Sequence, residues 1–221
     1  MKKSLFLLCF VLLNATGYLL AQSPQRFEND IHTIKDFDRM YAPPTHPILF
    51  VGSSSIRKWD DLERNFSSYV VLNRGVGGAV TNDVTYFAKD IIFPYAPRQI
   101  VIYVGENDLP DAGVNADTLL QRFKVLYTTI RSKLPTTPIL YISIKPSPSR
   151  AAFFEKGKQT NALIKDYIAT KKNTTYIDIY PLMLDANGNP RKELFLSDML
   201  HMNKDGYAIW EKAIQPHLLR R

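Results

Sequence analysis

Four short blocks of the 221-residue sequence hold side chains able to make and break an acyl bond. Ser53, Ser54 and Ser55 follow Gly52 in "ILFVGSSSIRKW"; Asn73, Arg74, Gly75, Gly77 and Gly78 lie in "LNRGVGGAV"; Glu106, Asn107 and Asp108 follow Gly105 in "YVGENDL"; and Asp198 stands three residues before His201 in "LSDMLHMNKDGY". Hydrolysis of an ester by an oxygen nucleophile needs a hydroxyl, a base to take its proton, a group that orients the base, and donors aimed at the oxygen that gains charge. Every one of those types is present. Taken singly, each block has a plainer explanation, because serines cap helices, while glycines and Asn-Asp pairs turn the chain. The residue types alone leave Ser54 and Ser55 both open as the nucleophile.

The elements around the blocks decide whether they can meet. Apolar runs of about five residues, rich in Val, Ile and Tyr, occur at 47–52, 69–75, 99–105, 138–145 and 175–180. The first, third and fourth are apolar at nearly every position, as strands covered on both faces should be. Amphipathic stretches at 27–40, 56–65, 81–92, 115–133, 153–171 and 204–219 separate them, with Pro135, Pro146, Pro181 and Pro190 in the connections. This alternation predicts a parallel sheet with helices on both faces, joined by right-handed crossovers. Such sheets place ligands at the carboxyl ends of their strands, where the first three blocks fall.

The start of the chain, "MKKSLFLLCFVLLNATGYLLAQS", has the order of a secretory signal peptide: two lysines, an apolar run from Leu5 to Leu13, then small and polar residues. The run is too short to span a bilayer. We expect residues 1–21 to be removed and residues 22–221 to form one domain of a secreted or periplasmic protein, with no stable membrane span. Cleavage there removes the one cysteine, Cys9, and lowers the net charge from +7 to +5, since Lys2 and Lys3 leave and no acid does. The remaining basic residues are interspersed with acids, which argues against a nucleic-acid partner. The four histidines, His32, His46, His201 and His217, lack metal-ligand spacing.

In this order the four blocks resemble the SGNH (GDSL-type) hydrolase superfamily, over about Ile48 to Tyr207. The resemblance implies a three-layer α/β/α sandwich with a five-stranded parallel sheet of flavodoxin-like type, and a serine esterase that uses neither cofactor nor metal. Aligning the family's Gly-Asp-Ser with Gly52-Ser53-Ser54 makes Ser54 the nucleophile, with Ser53 in the usual aspartate position and Ser55 left to cap the following helix. Gly78 matches the glycine of Asn-x-x-x-x-Gly and Asn107 the asparagine of Gly-x-Asn-Asp; with the Ser54 amide they would form the oxyanion hole. His201 would be the general base and Asp198 its orienting acid. The larger hydrolase fold with Gly-x-Ser-x-Gly fits less well, since Ile56 stands where its second glycine would be.

The blocks are most like the branch with platelet-activating-factor acetylhydrolase-like domains and carbohydrate esterases, which implies short acyl groups, acetyl above all. The expected substrate is a small-molecule or glycan ester, with acetylated polysaccharide first. A lysophospholipase or thioesterase acting on longer chains is the alternative, and a non-catalytic secreted binding protein on the same fold is another. A nucleotide binder is disfavoured because "NRGVGG" does not keep Gly-x-Gly-x-x-Gly spacing. Arg74, Glu106, Asp108 and the "KPSPSR" loop (145–150) lie at strand ends, and we expect them to line the acyl or alcohol pocket.

Overall fold

The structure, a computed structural model, describes residues 24–220; the segment read as a signal peptide, with Cys9, lies outside them. Strands β1 (Ile48–Gly52), β2 (Val71–Gly75), β3 (Gln99–Tyr103), β4 (Ile139–Ile142) and β5 (Thr174–Ile177) form one sheet in the order β2-β1-β3-β4-β5, all pairs parallel. Every residue of β1, β3 and β4 is buried, whereas the edge strands β2 and β5 are mostly half-buried. The continuous apolar runs therefore mark the central strands, which are covered on both faces.

Because side chains alternate along a strand, each central strand serves two cores. Leu49, Val51, Ile100, Ile102, Ile139 and Tyr141 pack on one face against α1 (Glu28–Met40), α4 (Thr81–Tyr86), α5 (Ala88–Ile91), α6 (Ala116–Lys133) and α7 (Phe154–Ala169). Ile48, Phe50, Val101, Tyr103, Leu140 and Ile142 pack on the other against α2 (Ser54–Arg57), α3 (Leu62–Asn65) and α8 (Lys204–Ile214). The result is the expected three-layer sandwich.

Local chemistry explains where the helices run. Asn115 caps α6 by accepting the Thr118 amide at 2.8 Å, and buried Phe123, Leu126 and Ile130 recur on one face of it. Asn203 caps α8 in the same way, accepting the Asp205 and Gly206 amides. Two anticipated helices are broken instead. The 56–65 stretch is two single turns, α2 and α3, because the chain must turn at Trp59 to bury its indole among Phe50, Phe66, Tyr207 and Trp210, with ring centroids 5.0 to 6.0 Å away. The 81–92 stretch divides at Phe87 into α4 and α5. At the end of the chain, α8 stops at Ile214 and a 3-10 turn containing Pro216 follows.

From β1 the chain crosses to β2 on one side, and the later strands extend from β1 on the other. The reversal falls between β1 and β3, whose carboxyl ends carry the first and third blocks, and open parallel sheets bind ligands at such a switch point. Among the described residues no helix is long and apolar enough to cross a membrane.

Candidate active site

Ser54 is the first residue of α2, two residues beyond the end of β1. The turn that presents it depends on Gly52, whose φ of +137 is a backbone conformation that L side chains rarely adopt. Ser53 is buried; its amide donates to the Tyr103 carbonyl at 3.0 Å, which ties the turn to β3. Ser53 sits at the N-cap of α2 but makes no side-chain cap bond. Ser55 departs from expectation. It is buried, its hydroxyl finds no partner among the described residues, and it caps nothing. Lying inside the helix rather than at its N-cap, it contributes its backbone, through a carbonyl that accepts the Tyr207 hydroxyl at 2.9 Å.

The Ser54 hydroxyl lies 2.9 Å from His201 Nε2, and His201 Nδ1 lies 2.6 Å from Asp198 Oδ2. The other carboxylate oxygen, Oδ1, accepts the backbone amides of Leu200 at 3.0 Å and His201 at 2.9 Å. Desolvation alone would raise this carboxyl, but the His201 ring and the two amides outweigh it and hold Asp198 well below the usual carboxylate range. An anion at Asp198 keeps the proton of a neutral His201 on Nδ1, so Nε2 faces Ser54 with its lone pair. The dyad is partly open to solvent, with the His201 side chain 13% and the Asp198 side chain 46% exposed.

In the loop after β2, Gly78 adopts φ +81, and nothing lies within 4 Å of where a side chain would begin. Its carbonyl accepts Arg26 Nη2 at 3.2 Å. The Ser54 and Gly78 amides donate to no acceptor among the described residues. Asn107, at the carboxyl end of β3, gives one amide hydrogen to the Ala79 carbonyl at 3.1 Å and keeps a second to give. Ser54, Asp198 and His201 are thus in hydrogen-bond contact, while Asn107 is bonded to the segment that carries Gly78. Among the described residues no group of three or more His, Cys, Asp or Glu side chains is placed to hold a metal ion.

The residues anticipated to line a substrate pocket are engaged elsewhere. Arg74 pairs with Asp38 of α1, donates to the Tyr95 hydroxyl at 2.6 Å and stacks on that ring. Burial and the Asp38 bond push the Tyr95 phenol up to about 12. Asp108 is fully buried: it accepts the Thr81 amide at 3.0 Å and hydroxyl at 3.1 Å and pairs with Arg122 at 2.7 Å. Burial pushes its carboxyl up against the pull of those donors. Glu106 is buried against Lys145, Ser147 and Tyr103. Each of the three side chains satisfies a protein partner inside the fold. Within the 145–150 loop, Lys145 and Ser147 are buried as well. Sequence reasoning misplaced Lys145 as well; the signal was a lysine three residues beyond the fully apolar β4, in an otherwise buried run.

No curated protein matches this sequence. The fold is shared with a Streptococcus pneumonia protein provisionally described as a platelet activating factor (21% identity, 88% of this chain and 94% of that one, TM-score 0.77). It is shared too with a GDSL-like lipase from Bacteroides thetaiotaomicron (17%, 88% and 96%, 0.69) and a family 3 carbohydrate esterase from Talaromyces cellulolyticus (14%, 77% and 94%, 0.60). Residues 50–209, which hold all four blocks, match the model of the GDSL-like lipase/acylhydrolase family; the chain belongs to that family and is an SGNH-type hydrolase.

Proposed function

We propose that this hydrolase cleaves short-chain carboxylic esters, chiefly acetyl esters carried on carbohydrate, with Ser54 as nucleophile. The observation that carries the reading is the continuous contact from Ser54 Oγ to His201 Nε2 at 2.9 Å and from Nδ1 to Asp198 at 2.6 Å. His201 takes the Ser54 proton as the oxygen attacks the acyl carbonyl, and Asp198 stabilises the imidazolium that forms. The tetrahedral oxyanion receives the Ser54 and Gly78 amides and the second Asn107 hydrogen. Collapse expels the alcohol, protonated by His201. A water activated by the same imidazole then attacks the acyl-serine and releases the acid.

The exposed Asp198 and half-buried Ser54 and His201 form a site partly open to solvent, which supports a bulky alcohol. A carbohydrate esterase among the fold relatives supports the same choice. Purified protein should hydrolyse aryl acetate and release acetate from acetylated xylan faster than it cleaves lysophospholipid. Ser54→Ala should abolish both activities; turnover that survives the substitution would remove Ser54 from the mechanism, and a preference for long acyl chains would move the substrate class to lipids. We further propose that residues 1–21 direct export and are cleaved, a step that N-terminal sequencing of the exported protein tests.

A further inference from the structure

Two loops meet on one buried charge pair, and a third is tied to it through Ser147. Glu106 is 3% and Lys145 is 2% exposed, and their charged ends are in contact. The Glu106 oxygen that meets Lys145 also accepts the Tyr103 hydroxyl at 3.0 Å, while the other accepts the Ser147 hydroxyl. Burial pulls the Lys145 ammonium below its ordinary value, and the Glu106 carboxylate opposes that shift. A buried ion pair is seldom more stabilising than apolar side chains of similar volume. Its placement is therefore informative.

Each arm of the cluster ends at a loop that carries a reacting group. Glu106 directly precedes Asn107. Tyr103, whose hydroxyl meets Glu106, offers its carbonyl to the Ser53 amide at 3.0 Å, one residue before Ser54. Ser147 spends its single proton on Glu106, with its oxygen 3.4 Å from the Leu200 carbonyl, and the Ser149 amide donates to the Met199 carbonyl at 3.0 Å. Met199, immediately after Asp198, holds φ at 54, a left-handed conformation uncommon outside glycine. Its carbonyl bond to Ser149 and its amide bond to the Leu196 carbonyl at 2.9 Å keep it there.

We propose that Glu106 and Lys145, with Ser147, are positioning residues for ester hydrolysis: they set the separation between the Asn107 amide and the Asp198–His201 loop. Neither charged side chain reaches solvent, so neither meets substrate. The proposal rests on the esterase reading above. The cluster acts on the geometry of the tetrahedral state more than on the affinity of the ground state, so its loss should appear in kcat and leave KM in place.

The test uses the full chain with aryl acetate. Glu106→Gln, and the charge-neutral pair Glu106→Gln with Lys145→Met, should each lower kcat roughly 10- to 100-fold, the order expected for misplacement approaching 1 Å, with KM changed less than about twofold. The double variant leaves no lone buried charge and keeps the test open if the single one fails to fold. In an Asn107→Ala background the same substitutions should cost less than about threefold more, because their effect passes through the amide already removed. Unchanged kcat in the folded double variant, a rise in KM at constant kcat, or losses that multiply fully with Asn107→Ala would overturn the proposal. Absence of turnover in the unsubstituted chain would overturn the esterase reading itself, and this inference with it.

Discussion

Gly52→Ala tests whether the approach of β1 to β3 sets the place of the serine. A methyl group on Gly52 would lie 1.8 Å from the Tyr103 carbonyl oxygen, where real contacts essentially never fall below 3.0 Å, so the two strands would have to part by about 1.2 Å. The obstacle is backbone in the centre of the sheet, and no side chain can rotate out of the way. Holding alanine at φ +137 costs roughly 1–3 kcal/mol, and overpacking adds roughly 1–3 kcal/mol. The middle of the combined range, about 4 kcal/mol, corresponds to a fall of about 8–16 °C in Tm for a chain of this size. Parting the strands also disturbs the carbonyl that receives the Ser53 amide, so kcat should drop on the order of 100-fold well below the melting temperature. Thermal unfolding followed by circular dichroism, with aryl acetate turnover measured in the cold, reads both effects. A Tm within about 2 °C of the parent and unchanged turnover would refute the reasoning.

Asp198→Asn should lower kcat by roughly 10³- to 10⁴-fold, measured on aryl acetate, because the imidazole loses the anion that fixes its tautomer. The same variant should show a shallower loss of stability in acid. A carboxyl held below its ordinary value of 3.8 contributes stability that is complete above that pH and fades as pH falls through the folded value; denaturant melts between pH 5 and pH 2, roughly the window around that value, read the difference. Arg74→Met should destabilise by roughly 1–3 kcal/mol, through the lost charged hydrogen bonds to Tyr95 and Asp38. KM should not move, and a large rise would return Arg74 to the substrate site. Trp59→Ala should cost about 3–5 kcal/mol in urea melts, because the indole is fully enclosed among four aromatic rings.

Much of the architecture is written in short-range pattern. The unbroken apolar runs of β1, β3 and β4 announce burial on both faces, and the Asn caps of α6 and α8 lie where those helices begin. The break at Trp59 was not legible, because it follows from burying one large side chain against Trp210, far along the chain. At the site the contrast is similar. The blocks that hold Ser54, Asn107, Asp198 and His201 stand out by residue type, but only their resemblance to the SGNH blocks separates Ser54 from Ser55. Arg74, Glu106 and Asp108 share the strand-end positions of contact residues, yet their partners Asp38, Lys145 and Arg122 belong to other elements. Only a folded chain reveals that those charges are spent internally, and a hydroxyl such as that of Ser55 looks the same in sequence whether it caps a helix or is orphaned.

The bond from Ser54 to His201 spans 147 positions of the chain, and the Tyr207 bond to Ser55 spans 152. The sheet, by contrast, is complete at Ile177. Every strand pairing can therefore form before His201, the base of the proposed mechanism, has been synthesised. A chain halted after β5 would keep its serine but lack its histidine and the helix that braces the nucleophile turn. In the mechanism proposed above, hydrolytic competence therefore waits on residues well beyond the sheet, and a chain that has completed β5 carries no working nucleophile until His201 is in place and α8 docks.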